Sequence, residues 1–523
     1  MTDTTHQPTE TDPPSNGDTR SWPQIGGGPG PSPEGESVGS SSWLRLVALA
    51  IGIAALGLLT GISVLAIVFA IAISIFLHEL GHFLVAKRAG MMVTEFFIGF
   101  GPRIWSFRRG ETEYGIKVIP AGAYVRIIGM HNLEQVDPAD EGRTYRAQPY
   151  RKRLPVVLAG PFANFAIALV LLFVLFVGWG TPNTDRWTVD RVLAGTAAAE
   201  AGLQAGDRII SFDGQSVGDF AGLSEMIQPA AGRPVEIVYE RDGQELTATT
   251  VLSWRLAEDA AAALPPLRTG DQVLLVNGQE VDTYDAFVTQ VNAGDATRAT
   301  VVFDRGGYRY ETDVATPVEL PAEGYLGFLG VGPEISRERL SPIAAIGESG
   351  STFGEVVVES VTAIGDRFSP TGIGEYVETV TNATSEDGAP GTAGIRPLEP
   401  DAQLAISSAP DPQDENRFLS ILGVGRLGSQ AFDSGPIAFM WLLILVNIFL
   451  GLFNLVPLPP LDGGHAAIAT YETVREKISG RRYRVDIAKL MPVTYAMVFL
   501  IVAIGITSLY LDIVDPVQNP FGP

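Results

Sequence analysis

His78, Glu79 and His82 stand as His-Glu-Leu-Gly-His at the end of an apolar run that starts near Leu46 and carries no charge before Glu79. Side chains four residues apart share one face of a helix. Both imidazoles can therefore hold one Zn²⁺ while Glu79 stands beside the metal as a general base. An ionisable group within a membrane span costs roughly 2.5–3.5 kcal/mol on insertion scales, so it is a functional-site candidate by default. The competing reading is a helix that shows the pattern by accident, and a chain with only five histidines leaves it little room.

A catalytic zinc needs at least one more protein ligand and keeps one position for water. The chain has no cysteine, so disulfides and thiolate ligands are excluded and the ligand is His or a carboxylate. A polar interruption in another apolar segment is the place to look. Such a segment, 436–460, ends in Asn454-Leu455-Val456-Pro457-Leu458-Pro459-Pro460-Leu461-Asp462-Gly463-Gly464-His465. The prolines break the helix, and the glycine pair lets backbone approach a site closely. Asp462 is the leading candidate; His465, three residues on, is the competing one. Asn454 is suited to hydrogen-bond a substrate backbone or an oxyanion, and equally to cap or pack its own helix. A third apolar run, about 155–178, opens Ala159-Gly160-Pro161-Phe162-Ala163-Asn164-Phe165. There Gly160 and Ala163 permit close helix contact, and Asn164 serves either interhelical packing or support of the site.

The elements that must position these residues follow from composition and order. The 523 residues are 46% hydrophobic with a mean hydropathy of +0.19, yet 18% are charged. That balance describes membrane spans joined to a water-exposed part. The net charge of −23 argues against a nucleic-acid partner, because phosphate contacts need a basic face.

Residues 1–42 read as a disordered acidic tail. The 32 apolar residues that follow would make one helix of about 48 Å, too long for a hydrocarbon core of about 30 Å. A break at Thr60-Gly61 gives an extra span over 43–61 ahead of the histidine-bearing helix; the alternative is a single long tilted helix. Lys87, Arg88, Arg103, Arg108, Arg109 and Arg151-Lys152-Arg153 then mark the cytoplasmic side by the positive-inside rule. Between them, 113–120 and 123–129 read as short strands flanking a turn, apolar enough to dip into the membrane.

Residues 181–320 are extracytoplasmic by alternation, and they repeat. Gly206-Asp207-Arg208-Ile209-Ile210 recurs as Gly270-Asp271-Gln272-Val273-Leu274, and Val238-Tyr239-Glu240-Arg241-Asp242-Gly243 as Val302-Phe303-Asp304-Arg305-Gly306-Gly307, both 64 residues on. Strands, turns and one helix in each copy, with Ala201-Gly202-Leu203-Gln204-Ala205-Gly206-Asp207, resemble a PDZ domain. The second copy, with Leu264-Pro265-Pro266-Leu267, is degenerate. Residues 321–435 read as membrane-surface helices followed by a flexible insertion over 381–416, and Arg475 to Lys489 as a cytoplasmic loop before a last span at about 491–511.

Taken together, His78-Glu79-Leu80-Gly81-His82, the Gly160-Pro161…Asn164-Phe165 segment, the PDZ-like insertion and Asn454…Pro457-Leu458-Pro459…Leu461-Asp462-Gly463-Gly464-His465 resemble the site-2 protease family of intramembrane zinc metalloproteases, in its bacterial PDZ-containing branch. The resemblance implies zinc ligands at His78, His82 and Asp462, a base at Glu79, a substrate-handling residue at Asn454 and a membrane-reentrant β-loop over about 94–130. It implies a cell-membrane protein of four core spans with two extracytoplasmic PDZ-like α+β domains; the extra N-terminal span of this chain is unusual for the family. Their boundaries fall at 62–180 for the first half of the catalytic core, 185–252 and 253–320 for the PDZ-like pair, and 436–523 for the second half. Substrates would be single-span membrane proteins such as anti-sigma factors or remnant signal peptides, trimmed first by an upstream protease. Family members commonly carry Gly-Gly where this chain has Gly122-Ala123. The rival readings are a catalytically inactive membrane-anchored PDZ scaffold, which would have no need of Glu79, and a divalent-metal transporter, which would call for an inverted repeat that the spans lack.

Overall fold

The computed structural model describes residues 41–130, 134–193, 195–293, 297–305, 308–384, 395–398 and 418–514. Residues 1–40 of the tail expected over 1–42, and most of the insertion expected over 381–416, lie outside these residues. The chain is a polytopic α-helical membrane protein with a separate strand-rich part. Among the described residues, four helical segments, Ile62–Arg88, Tyr150–Gly178, Pro436–Asn454 and Ala488–Val514, are long and apolar enough to cross a membrane.

The long apolar run divides into α1 (Ser41–Thr60) and α2 (Ile62–Arg88) at Gly61. Its φ of +92° is strained for any residue with a Cβ. After α2 come β1 (Val93–Arg109) and β2 (Thr112–Ile127), a hairpin longer than the two short strands read from periodicity. It folds on itself, so that Phe96 faces Tyr114 on one side and Val125 on the other. Residues 123–127 form one edge of the resulting sheet, and Val125 and Ile127 pack with Val85 and Ala86 of α2. α3 (Tyr150–Gly178) crosses α2 closely, because a Cβ on Gly81 would meet the backbone of Ala159 and the side chain of Ala163.

The first module contains β3 (Thr181–Val192), α4 (Ala197–Glu200), β4 (Arg208–Phe212), β5 (Gln215–Ser216), α5 (Phe220–Ile227), β6 (Pro234–Arg241) and β7 (Gln244–Val251). The second repeats that order with β8 (Ser253–Leu256), α6 (Glu258–Ala262), β9 (Gln272–Val276), β10 (Gln279–Glu280), α7 (Tyr284–Val291), β11 (Arg298–Arg305) and β12 (Tyr308–Ala315). Their sheets run β5-β4-β6-β7 and β10-β9-β11-β12. The two repeated sequence fragments turn out to be partners. Arg241 donates from Nε and Nη2 to the buried carboxylate of Asp207 at 2.7 Å each, and Arg305 does the same to Asp271 at 2.7 and 2.6 Å. Each Nη2 also reaches a turn carbonyl, of Gly202 or of Pro266. The duplicated motif is therefore a buried acid and the arginine that neutralises it.

Domain boundaries need one correction. β13 (Tyr325–Phe328) and β14 (Val331–Glu338) are strands within the stretch read as surface helices, and they pair with β8 and β3 respectively. The first module is thus closed by chain that follows the second, and Leu329 is buried in its core beside Trp187 and Ile237. Helices begin only at α8 (Pro342–Arg367) and α9 (Pro370–Thr384). α8 packs Phe353 edge-on against Phe165 of α3, with ring centroids 5.6 Å apart. A short strand, β15 (Arg396–Pro397), adds to the free edge of β12.

The chain ends with α10 (Ile421–Asp433), α11 (Pro436–Asn454), α12 (Asp462–Ser479) and α13 (Met491–Val514). α12 takes in 475–479, the first residues of the loop expected from Arg475 to Lys489. Polar pairs tie the helices together: Ser429 donates to Ser63 at 2.8 Å, and Asn447 donates to Ser74, one turn before His78, at 3.1 Å.

Candidate metal centre

α2 places His78 and His82 on one buried face, and α12 brings Asp462 to them as its first residue. The three potential ligand atoms converge. His78 Nε2 and His82 Nε2 are 3.1 Å apart, and Asp462 Oδ2 is 3.2 Å from each. They form the group of His, Asp and Glu atoms able to hold one ion among the described residues. Glu79 is half-buried next to them, with the Val125 backbone of the hairpin edge as a hydrogen-bond partner.

One face of α3 forms the back wall. His82 Nδ1 donates to the Val156 carbonyl at 2.7 Å, which leaves Nε2 with its lone pair. One turn on, Gly160 faces both rings: a Cβ there would collide with the Nε2 atoms of His78 and His82. Another turn on, Asn164 meets His78 Nδ1 at 3.2 Å. Residue spacing alone marked Gly160 as a packing glycine; its contact with the imidazoles is visible only once α2 and α3 are crossed.

Asp462 is delivered by a tight turn. A Cβ on Gly463 would collide with the Leu455 and Val456 carbonyls, and one on Gly464 with the Pro459 nitrogen, so the glycine pair lets 455–461 fold back against the start of α12. Ten residues further, Glu472 anchors the helix. Its carboxylate accepts from Arg153 of α3 at 2.7 Å and from the Val485 amide at 2.9 Å, and the ion pair is almost wholly buried. Removing one partner leaves an uncompensated buried charge, a loss of about 3–5 kcal/mol. Glu472→Ala should accordingly lower the unfolding midpoint of the detergent-solubilised protein by many degrees, whereas removal of the exposed pair partner Arg396 should scarcely move it.

Asn454 is the last residue of α11 and donates to the Leu450 carbonyl at 3.0 Å, within its own helix. His465 is not part of the convergent group; it lines a small cavity with Tyr145, Arg153 and Glu472.

The site fits zinc on its own chemistry. Asp462 Oδ2 is buried and makes no hydrogen bond, although two imidazole nitrogens lie against it. With Nδ1 of His82 donating to Val156, the His82 Nε2 and Asp462 Oδ2 lone pairs face one another, an arrangement that a cation among the three atoms would relieve. Two nitrogens and a carboxylate oxygen suit Zn²⁺, and separations of 3.1–3.2 Å approach the roughly 3.3–3.4 Å edge of a tetrahedron with bonds of about 2.0–2.1 Å.

Comparison with known proteins agrees. Residues 66–501 match the family model described as Peptidase family M50. The chain is 29% identical over 487 residues to the zinc metalloprotease Rip1 of Mycolicibacterium smegmatis, covering 88% of this chain and 98% of that protein. Rip1 of Mycobacterium tuberculosis is 29% identical over 484 residues, with the same coverage. The regulator of sigma E protease of Haemophilus influenzae is 23% identical over 472 residues, covering 83% of this chain and 96% of its own length.

Proposed function

The chain belongs to peptidase family M50, the site-2 protease family, and from that premise we propose that it hydrolyses peptide bonds inside the transmembrane segments of single-span proteins. It is a zinc metalloprotease, a hydrolase carried by a multi-pass membrane protein and serving regulated intramembrane proteolysis. The observation that carries the proposal is the meeting of His78, His82 and Asp462 beside Glu79, from two distant parts of the chain.

His78, His82 and Asp462 are the zinc ligands in this reading, and Glu79 is the general base. The bound ion supplies an acidified water and a polarised scissile carbonyl. Glu79 accepts the proton released at the attacking water and delivers it to the leaving amine. Asn454 holds the substrate backbone. A transmembrane helix hides its amides in internal hydrogen bonds, so it must unwind before attack. The edge strand 123–127 beside Glu79 supports an extended segment by strand addition.

Basic residues after α2 and before α3 support a reading with the active site near the cytoplasmic face of the cell membrane, the two modules outside and α1 as an extra span. The modules are PDZ-like and act as a filter, rejecting substrates that retain a bulky outer domain. Substrates are then anti-sigma factors or remnant signal peptides already trimmed by an upstream protease, a reading that the name of the Haemophilus relative supports. Glu79 stands against the inactive-scaffold alternative, since a scaffold has no use for a base at the ligand cluster.

Reconstituted in vesicles, the zinc-loaded protein should cut a bare transmembrane helix and spare the same helix fused to a folded outer domain. Equal cutting of both would remove the filter. Cutting of neither would remove the protease reading.

A further inference from the structure

Asn164 is 1% exposed and sits on α3 two turns beyond Val156, with Gly160 between them. As placed, its amide nitrogen is 3.2 Å from His78 Nδ1, while its amide oxygen is buried without any hydrogen-bond partner. That arrangement is doubly unfavourable. An amide N–H pointing at Nδ1 makes Nδ1 the acceptor, which in a neutral ring puts the proton on Nε2. His78 Nε2 is the atom that faces His82 and Asp462, where an N–H would block an ion. The orphaned oxygen adds the desolvation cost of a buried acceptor.

A half-turn of the amide about its last torsion exchanges oxygen and nitrogen at almost no change in shape, and the two orientations are assigned from hydrogen bonding. In the exchanged orientation the oxygen accepts the Nδ1 proton, the orphan disappears and Nε2 keeps its lone pair. His82 is already arranged in this way by the Val156 carbonyl at 2.7 Å.

We propose that Asn164 is a positioning residue for the metal: its amide oxygen accepts the Nδ1–H of His78, fixing ring and tautomer so that Nε2 is free for Zn²⁺. Val156, Gly160 and Asn164, four residues apart along one face of α3, then form a single device. The first and third each fix one imidazole, and the glycine between them leaves room for both rings. An acceptor behind a ligating imidazole also raises the basicity of the ligating nitrogen.

The inference rests on His78, His82 and Asp462 being the ligands, and the test separates the two. Zinc affinity of the full-length detergent-solubilised protein is measured by competition with a chromophoric chelator for wild type, Asn164→Ala, Asn164→Asp and His78→Ala. Loss of an outer acceptor typically lowers metal affinity about 10–100-fold. Asn164→Ala should show a loss of that size, and Asn164→Asp, which can only accept, should bind within a few-fold of wild type. Thermal unfolding of the zinc-free proteins checks that each variant is folded. Wild-type affinity in Asn164→Ala, or equal weakening in the alanine and aspartate variants, overturns the proposal. Wild-type affinity in His78→Ala would instead overturn the ligand assignment beneath it.

Discussion

Glu79→Gln should bind one zinc per chain as tightly as wild type and cleave a transmembrane substrate about 10²–10⁴-fold more slowly, the usual contribution of a positioned general base. The substitution keeps shape and burial but removes the ability to take a proton. Glu79 is absent from the convergent ligand atoms, which are those of His78, His82 and Asp462, so the metal should not notice the change. Zinc content by elemental analysis and cleavage by gel, on the same reconstituted sample, report the two quantities separately. Loss of zinc together with activity would move Glu79 from base to ligand. Undiminished cleavage would leave no chemical role for it. The prediction also divides enzyme from scaffold, since a binding protein would lose nothing that matters.

The sequence spoke most clearly where chemistry imposes a short-range pattern. His78 and His82 are readable because a helix turns imposed spacing into a shared face, and Asp462 because a carboxylate at the broken end of an apolar segment has few structural reasons to be there. The equal 64-residue offsets revealed duplication but not its reason. Asp207 and Arg241 are 34 residues apart, and only the folded sheet shows that each repeated fragment holds one half of a buried pair. Strands β13 and β14 escaped for a related cause. They read as chain beyond the modules, yet they pair backwards to β8 and β3, and no local periodicity encodes a partner more than 60 residues upstream. Helix α12 was hidden at both ends: Gly463 and Gly464, poor helix formers, relieve a turn at its first residues, and the basic residues from Arg475 on read as a loop although the helix runs to Ser479. The roles of Gly160 and Asn164 were open for the same physical reason: a contact between two crossing helices depends on the crossing.

That crossing makes Gly160→Ala a severe change at a residue that binds nothing itself. A Cβ at 160 would land on His78 Nε2 and His82 Nε2, the two nitrogens meant for the ion, with His78 Cε1 at 2.6 Å. Neither ring has an easy retreat. His82 is tied to the Val156 carbonyl, His78 is backed by Asn164, and α3 cannot withdraw without opening its contact with Gly81. Alanine is meanwhile the better helix former by about 1 kcal/mol, so the substitution does not weaken α3 as a helix. The expected result is a folded protein whose zinc affinity drops by more than the 10–100-fold of an outer-shell change, with proteolysis falling in parallel. Gly178→Ala, at the far end of the same helix with nothing within 4 Å of the added carbon, serves as the control and should keep both metal and activity. Stoichiometric zinc at wild-type affinity in Gly160→Ala would mean that the two imidazoles do not converge where α3 places them, and the metal centre built on that convergence would have to be abandoned.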